Sequence, residues 1–264
     1  MPLLKSRVPF TPQNPYRVIR PKTSKIIFLS CEGSVTEEEY FGLISDIYSG
    51  IKSKIQFISV AEDAVLTAPK CRTPEHVRML TKVRPKHLVE RINQFKAEKD
   101  DIYQFEKYPE DEFWILTDVD QNWSNQVIDP QNGKTYKDEW DDAIAACEEK
   151  GYHYAISNPF FEVWLLLHHD EPSEKDKSFA VSDDHSYERT DHFRIRLSEL
   201  GAPLKDKKHI NSSNYNDEKI KTAVHRAEEL HVDKTDMCPR YFATTVYLLL
   251  KKIFEMLPEE DVER

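Results

Sequence analysis

Short apolar runs alternate with longer amphipathic stretches from residue 25 to about residue 169. The run KIIFLS (25–30) is apolar and rich in β-branched residues, which predicts a buried strand. A helix from Thr36 to about residue 49 should come next, with Thr36 as its N-cap and Glu37, Glu38 and Glu39 at the positive end of the helix dipole. Residues 55–60, 113–117 and 152–157 predict three further strands. Between them lie a helical stretch over 73–99, which Pro85 should kink or restart, and an amphipathic helix over 137–150 that Gly151 stops. Another helix starts at Pro159 and runs to His168. Strands alternating with helices predict βαβ units and a mostly parallel sheet, because parallel neighbours need long crossover connections. Beyond Asp170 the pattern changes: 171–191 is polar and acidic and reads as a loop or lid, and the remainder reads as helices only, over 191–200, 217–230 and 241–256. The chain thus divides into an aperiodic basic arm (1–24), an α/β core (25–170) and a lid loop with a helical region packed on that core (171–264).

Composition narrows the class. No apolar run approaches the roughly 18 residues a spanning helix needs, so no membrane partner is expected. No apolar stretch backs the first charges, and a cytoplasmic location is expected. Cys31, Cys71, Cys147 and Cys238 are far apart with no CxxC, which disfavours a disulfide framework or a structural zinc site. Only six glycines occur in the 264 residues, and no Walker loop or GxGxxG is among them, so a glycine-rich phosphate cradle is excluded.

With 47 acidic against 37 basic side chains the formal net charge is −10, which argues against constitutive coating of DNA. The distribution is uneven. Residues 1–25 hold six cations and no acid, and residues 70–96 hold eight cations against Glu75 and Glu90. Lys70, Arg72, Arg78, Lys82, Arg84, Lys86 and Arg91 in the second block form either a phosphate-contacting surface or a solvated helix face.

The acidic residues carry the chemistry. Glu32 follows the first strand, and Asp118 and Asp120 follow FWILT as an Asp-Val-Asp triplet, all at the carboxyl ends of predicted strands, where open parallel sheets bind ligands. Carboxylates brought close there repel one another, and the remedies are a shared proton or a divalent cation; hard oxygen donors suit Mg²⁺ or Mn²⁺. Glu162, within SNPFFEVWLLLHH, cannot be buried among Phe160, Phe161, Val163 and Trp164 without compensation, by a metal, a salt bridge or the helix dipole. His168 and His169 end an apolar helix and are suited to capping its carbonyls, whereas Trp114, Trp164, Phe160 and Phe161 read as core.

Four segments in this order, CEGSVTEEEYF (31–41), FWILTDVDQ (113–121), AISNPFFEVWLLLHH (155–169) and YNDEKIKTAVHRAEEL (215–230), resemble the RloB family, whose members are often encoded in type I restriction-modification loci and linked to phage defence. The resemblance spans about 24–256 and implies a Toprim-like, Rossmannoid α/β fold. It implies that Glu32 is the Toprim glutamate, Asp118 and Asp120 the metal-binding pair, and Glu162 a further family carboxylate. It also implies a Mg²⁺- or Mn²⁺-dependent nuclease acting on DNA or RNA, tRNA included, in antiviral defence. Lys219, in the family-like segment, is the preferred cation facing the phosphate, ahead of Lys208 and His209; the alternative for Lys219 is a solvated helix position. Two other functions stay open: a non-catalytic regulator binding nucleic acid or a restriction subunit, and an enzyme acting on small nucleotides through the same carboxylates. A homodimer through the apolar face of 241–250 is a further expectation.

Overall fold

The computed structural model describes residues 25–33, 35–51, 54–58 and 84–257. Five strands, β1 (Ile27–Cys31), β2 (Ile55–Phe57), β3 (Glu112–Asp118), β4 (His153–Asn158) and β5 (Ala243–Thr244), form one sheet in the order β2-β1-β3-β4-β5. The first four are parallel, and β5 pairs antiparallel with β4. The protein is therefore an α/β protein of Rossmannoid type, as its strand-helix alternation predicts. β2 lies on one side of β1 and β3 on the other, so the strand order reverses between β1 and β3.

Helices cover both faces. α1 (Thr36–Ile47), α4 (Glu162–Leu167), α7 (Asp217–Leu230) and α8 (Val246–Phe254) enclose one core with Ile27, Leu29 and Cys31 of β1. α2 (Pro85–Tyr103) and α3 (Tyr136–Lys150) enclose the other with Ile26 and Phe28. Alternate residues of β1 thus feed opposite cores, which is why this strand is apolar at nearly every position instead of every second one. Phe28 is ringed by Phe95, Tyr103, Phe105 and Phe113 at centroid distances of 5.4, 5.1, 5.7 and 4.9 Å. Removing it would cost about 3–5 kcal/mol.

Local signals set most boundaries. Pro85 opens α2 at its first position; the preceding part of that stretch lies outside the described residues. Thr135 and Asp138 form a capping box at the start of α3, and Gly151 ends it with φ +66°. Thr36 is the first helical residue of α1 and not its cap, because its hydroxyl donates to Lys208 O at 2.7 Å. α5 (Glu174–Lys177) and α6 (His192–Glu199) flank the 178–191 loop.

The region after Asp170 departs from the all-helical expectation by supplying β5. Thr244 Oγ1 meets Ser157 Oγ at 2.9 Å and Thr245 Oγ1 accepts from Ile156 N at 2.8 Å, so side-chain hydroxyls hold an edge too short to be legible as a strand. Most of the apolar face expected over 241–250 is consumed inside the protein, with Val246, Tyr247, Leu249 and Leu250 buried, whereas Tyr241 is 79% exposed. No helix among the described residues is long and apolar enough to cross a membrane. The basic arm (1–24) lies outside the described residues, as does Cys71; Cys31, Cys147 and Cys238 are free thiols.

Candidate acidic site at the carboxyl edge of the sheet

β1 and β3 end on either side of the point where the strand order reverses, and backbone pairing continues past both. Glu32 N donates to Leu116 O at 2.9 Å, Val119 N to Ser157 O at 2.9 Å and Asp120 N to Pro159 O at 3.3 Å. These bonds carry Glu32, Asp118 and Asp120 to one edge, the position from which open α/β sheets bind ligands. Asp120 opens a short 3₁₀ turn with φ +23°, a conformation few non-glycine residues adopt; the Asn122 N–H donating to its Oδ1 at 3.0 Å helps hold it.

Glu32 is gripped by protein donors. Its Oε2 accepts from Thr117 Oγ1 at 2.5 Å and from Asp118 N at 3.1 Å, while Asn122 Nδ2 reaches both carboxylate oxygens at 3.3 and 3.4 Å and also Asp118 O at 3.0 Å. Asn122 is buried, so its amide serves as a fixed bracket between β1 and β3. Glu37, in the first turn of α1, brings a further carboxylate: it is buried and accepts from Gly33 N at 3.0 Å. A β-carbon on Gly33 would lie 2.0 Å from Glu37 Oε2, so only glycine permits this approach.

The electrostatics follow from crowding. Burial, then the charge of Asp120, pushes Glu32 up to about 8 against the opposing hydrogen bonds of Thr117, Asp118 N and Asn122. Burial raises Asp118 well above the usual carboxylate range, with Glu32, Glu37, Asp120 and Glu162 adding their repulsion. Burial lifts Asp120 to about 6 and Glu37 to about 7. Glu32, Asp118 and Asp120 have no Lys or Arg ion pair among the described residues; hydrogen bonds from Thr117, Asp118 N and Asn122 and a raised affinity for protons offset their mutual repulsion.

The other expected site residues divide. Glu162 shares the field at Asp118 but is bound to Arg194 at 2.9 Å, so a salt bridge supplies its compensation. Lys219 Nζ donates to Asn214 O at 2.9 Å, and its charge acts on His168 and His169; it makes no ion pair with the acidic site among the described residues. His209 bonds Glu39, and Lys208 offers its carbonyl to Thr36. Of the basic block, Lys70, Arg72, Arg78 and Lys82 lie outside the described residues. Arg84 and Lys86 do not form an open phosphate-binding surface: both are ion-paired to the buried Asp129 and Glu139, Arg84 Nη2 and Lys86 Nζ reaching Asp129 Oδ2 at 2.7 and 2.8 Å. The two acids lie at the rim of α3, far along the chain, which is why the block looks unpaired in sequence. Arg91 donates to Cys31 O at 3.0 Å and stands within the field of Glu32 and Glu38.

His168 caps a carbonyl as expected. Its Nδ1 donates to Trp164 O at 2.9 Å, so Nε2 accepts from Tyr40 Oη at 3.0 Å, and burial lowers its pKa to about 3. Trp114, Trp164 and Phe161 are buried core, with Phe160 packed at the margin.

A divalent cation suits the chemistry of the donor set, since Glu32, Asp118 and Asp120 offer hard carboxylate oxygens that repel one another when ionised. The shell is not preassembled: among the described residues no three Asp, Glu, His or Cys side chains are gathered as metal ligands. Glu162 is bound to Arg194, and Glu32 Oε2 to Thr117 Oγ1 and Asp118 N.

Fold and site define an α/β protein of Rossmannoid type with an acidic cluster at the strand-order reversal. The family model for RloB-like proteins matches residues 27–253, so the chain belongs to the RloB-like family. No curated protein and no solved structure matches it significantly.

Proposed function

We propose that this protein is a Mg²⁺- or Mn²⁺-dependent phosphodiesterase of Toprim type that cleaves DNA or RNA, tRNA among the substrates to be tried, in antiviral defence. The observation that carries the reading is the crowding of Glu32, Asp118 and Asp120 at the carboxyl edge with raised pKa values and no Lys or Arg ion pair among the described residues. Carboxylates in this state are relieved by a shared proton or by a divalent cation, of which the cation is taken here. Asp118 and Asp120 would hold the ion, with Glu32 Oε1, which accepts from Asn122 Nδ2 at 3.3 Å, turned to it or to a proton. When bound, the cation would supply Lewis-acid stabilisation to a phosphoryl group and a more acidic water.

The chain's own contribution is placement and proton handling. Thr117, Asn122 and Asp118 N fix the Glu32 carboxylate, whose pKa of about 8 lets it hold or release a proton near neutrality. Arg91 and Arg194, at the borders of the acidic field, are the cations from which a phosphate backbone could draw support. Incubation of the purified chain with plasmid, single-stranded DNA and total tRNA in Mg²⁺ or Mn²⁺ tests the reading. Cleavage by wild type, lost in Asp118→Asn, is expected; equal cleavage by the variant would remove the site assignment.

The second reading is a non-catalytic regulator that binds nucleic acid or a restriction subunit through the same edge. The absence of a preassembled ligand shell among the described residues favours it. It predicts binding that survives Asp118→Asn.

A further inference from the structure

Beside Asp120 opens a cleft of about 310 Å³, between residues 120–126 on one wall and 181–187 on the other. Neither wall is loose. Ser124 Oγ accepts from the N–H groups of Gln126 and Val127 at 3.1 and 3.3 Å. Across the cleft, the buried Asn158 at the end of β4 clamps Val181 on both sides, accepting from Val181 N at 2.8 Å and donating to Val181 O at 2.7 Å. The loop anticipated as a lid is therefore anchored to the same strand end that supports Asp120.

We propose that this cleft receives the base and sugar of a single unpaired nucleotide whose phosphate lies against Asp118 and Asp120, so that the protein selects single-stranded nucleic acid. The inference rests on the phosphodiesterase reading above and adds the substrate class. Three observations carry it. The cleft is at the small end of ligand-sized cavities, room for one nucleoside and not for a base pair. Away from Asp120 its wall holds Asp183 and Asp184, which disfavour a second phosphate and leave the neutral part of a nucleotide as occupant. An aromatic side chain stands on each wall: Tyr187, half-buried with its ring edge-on to Phe160 at 5.9 Å, and Trp123, whose indole Nε1 has no hydrogen-bond partner among the described residues. Tyr187 offers a stacking surface, and serine, asparagine and glutamine groups around it offer hydrogen bonds to a base edge. A base can reach them only when it is out of a duplex stack.

The test is fluorescence polarisation with labelled single-stranded DNA and RNA oligonucleotides of about 12 nucleotides and their hairpin duplex counterparts, in Ca²⁺. Cleavage in Mn²⁺ is followed in parallel. Wild type should bind a single-stranded probe about tenfold more tightly than the duplex, Tyr187→Leu should lose about tenfold on the single strand, and Tyr187→Phe should retain binding. Leucine keeps an apolar side chain beside Phe160 while removing the ring, and near-ultraviolet circular dichroism checks the fold. Equal binding of single strands and duplex, unchanged binding by Tyr187→Leu, or no binding at all would overturn the proposal. Asp118-dependent cleavage alongside any of these would leave the phosphodiesterase reading standing. Selective, Tyr187-dependent binding without cleavage would uphold the cleft and remove the catalytic reading.

Discussion

Replacing Glu37 by glutamine isolates the electrostatics of the acidic edge in a single stability measurement. The Glu37 side chain is 6% exposed, accepts from Gly33 N at 3.0 Å, and is pushed from 4.5 up to about 7, chiefly by burial and further by the charges of Glu162 and Glu38. The folded state therefore holds this proton more firmly than the unfolded chain. Its stabilising effect is full below pH 4.5 and is lost as pH rises through about 7. At about 1.4 kcal/mol per pH unit the loss comes to roughly 3 kcal/mol. Glu32, raised to about 8, extends the same trend. Histidines act oppositely: burial lowers His168 to about 3 and His169 to about 4 from 6.5, so stability they contribute above 6.5 is lost as pH falls toward 4. Between pH 4.5 and 6.5 the two trends oppose one another, and above pH 6.5 only the carboxylate trend remains, so the stability of the metal-free protein should decline toward pH 8. Glu37→Gln keeps an acceptor for Gly33 N and removes one titration. Urea unfolding in EDTA should find the variant about 2–3 kcal/mol more stable than wild type at pH 8, with the difference between the two arising between pH 4.5 and 7. An unchanged pH slope, or a variant less stable than wild type at pH 8, would refute the reasoning.

Three further outcomes are expected. Gly33→Ala, whose new methyl would lie 2.0 Å from Glu37 Oε2, should displace that carboxylate and cost about 1–3 kcal/mol, read as a lowered urea midpoint; an unchanged midpoint would contradict the close approach. Asp129→Asn breaks the ion-pair group with Arg84 and Lys86 and should cost about 3 kcal/mol while leaving nucleic-acid affinity within about twofold; weaker binding without a stability loss would return those two cations to the nucleic-acid surface. Glu162→Gln, which removes one of the two carboxylates paired with Arg194, should leave Mn²⁺ affinity within about threefold by titration, because that carboxylate is already compensated; a larger loss would make it a ligand.

Legibility in the sequence divides along a physical line. β1 could be read because both its faces are buried, which leaves a nearly unbroken apolar run; α2 and α3 could be read because Pro85 and Gly151 punctuate them. Asp118 and Asp120 were legible because topology alone sends strand ends to one edge. Glu37 was read only as a helix-dipole residue: its burial depends on Gly33 four positions earlier, and that spacing is the signal that could have found it. Asn122, two residues beyond Asp120, gave no sign of its grip on Glu32, since the contact crosses ninety positions of chain. The same non-locality hid Asp129 and Glu139 from Arg84 and Lys86, Arg194 from Glu162, and the clamp of Asn158 on Val181.

The central claim, that Glu32, Asp118 and Asp120 together bind a divalent cation, is tested most directly by counting free Mn²⁺ by electron paramagnetic resonance as the purified chain is titrated at pH 7.5. The account predicts a saturable site in wild type, weakened by about tenfold or more in Asp118→Asn. A wild-type protein that leaves all added Mn²⁺ free, or an Asp118→Asn variant that binds it equally well, would contradict it.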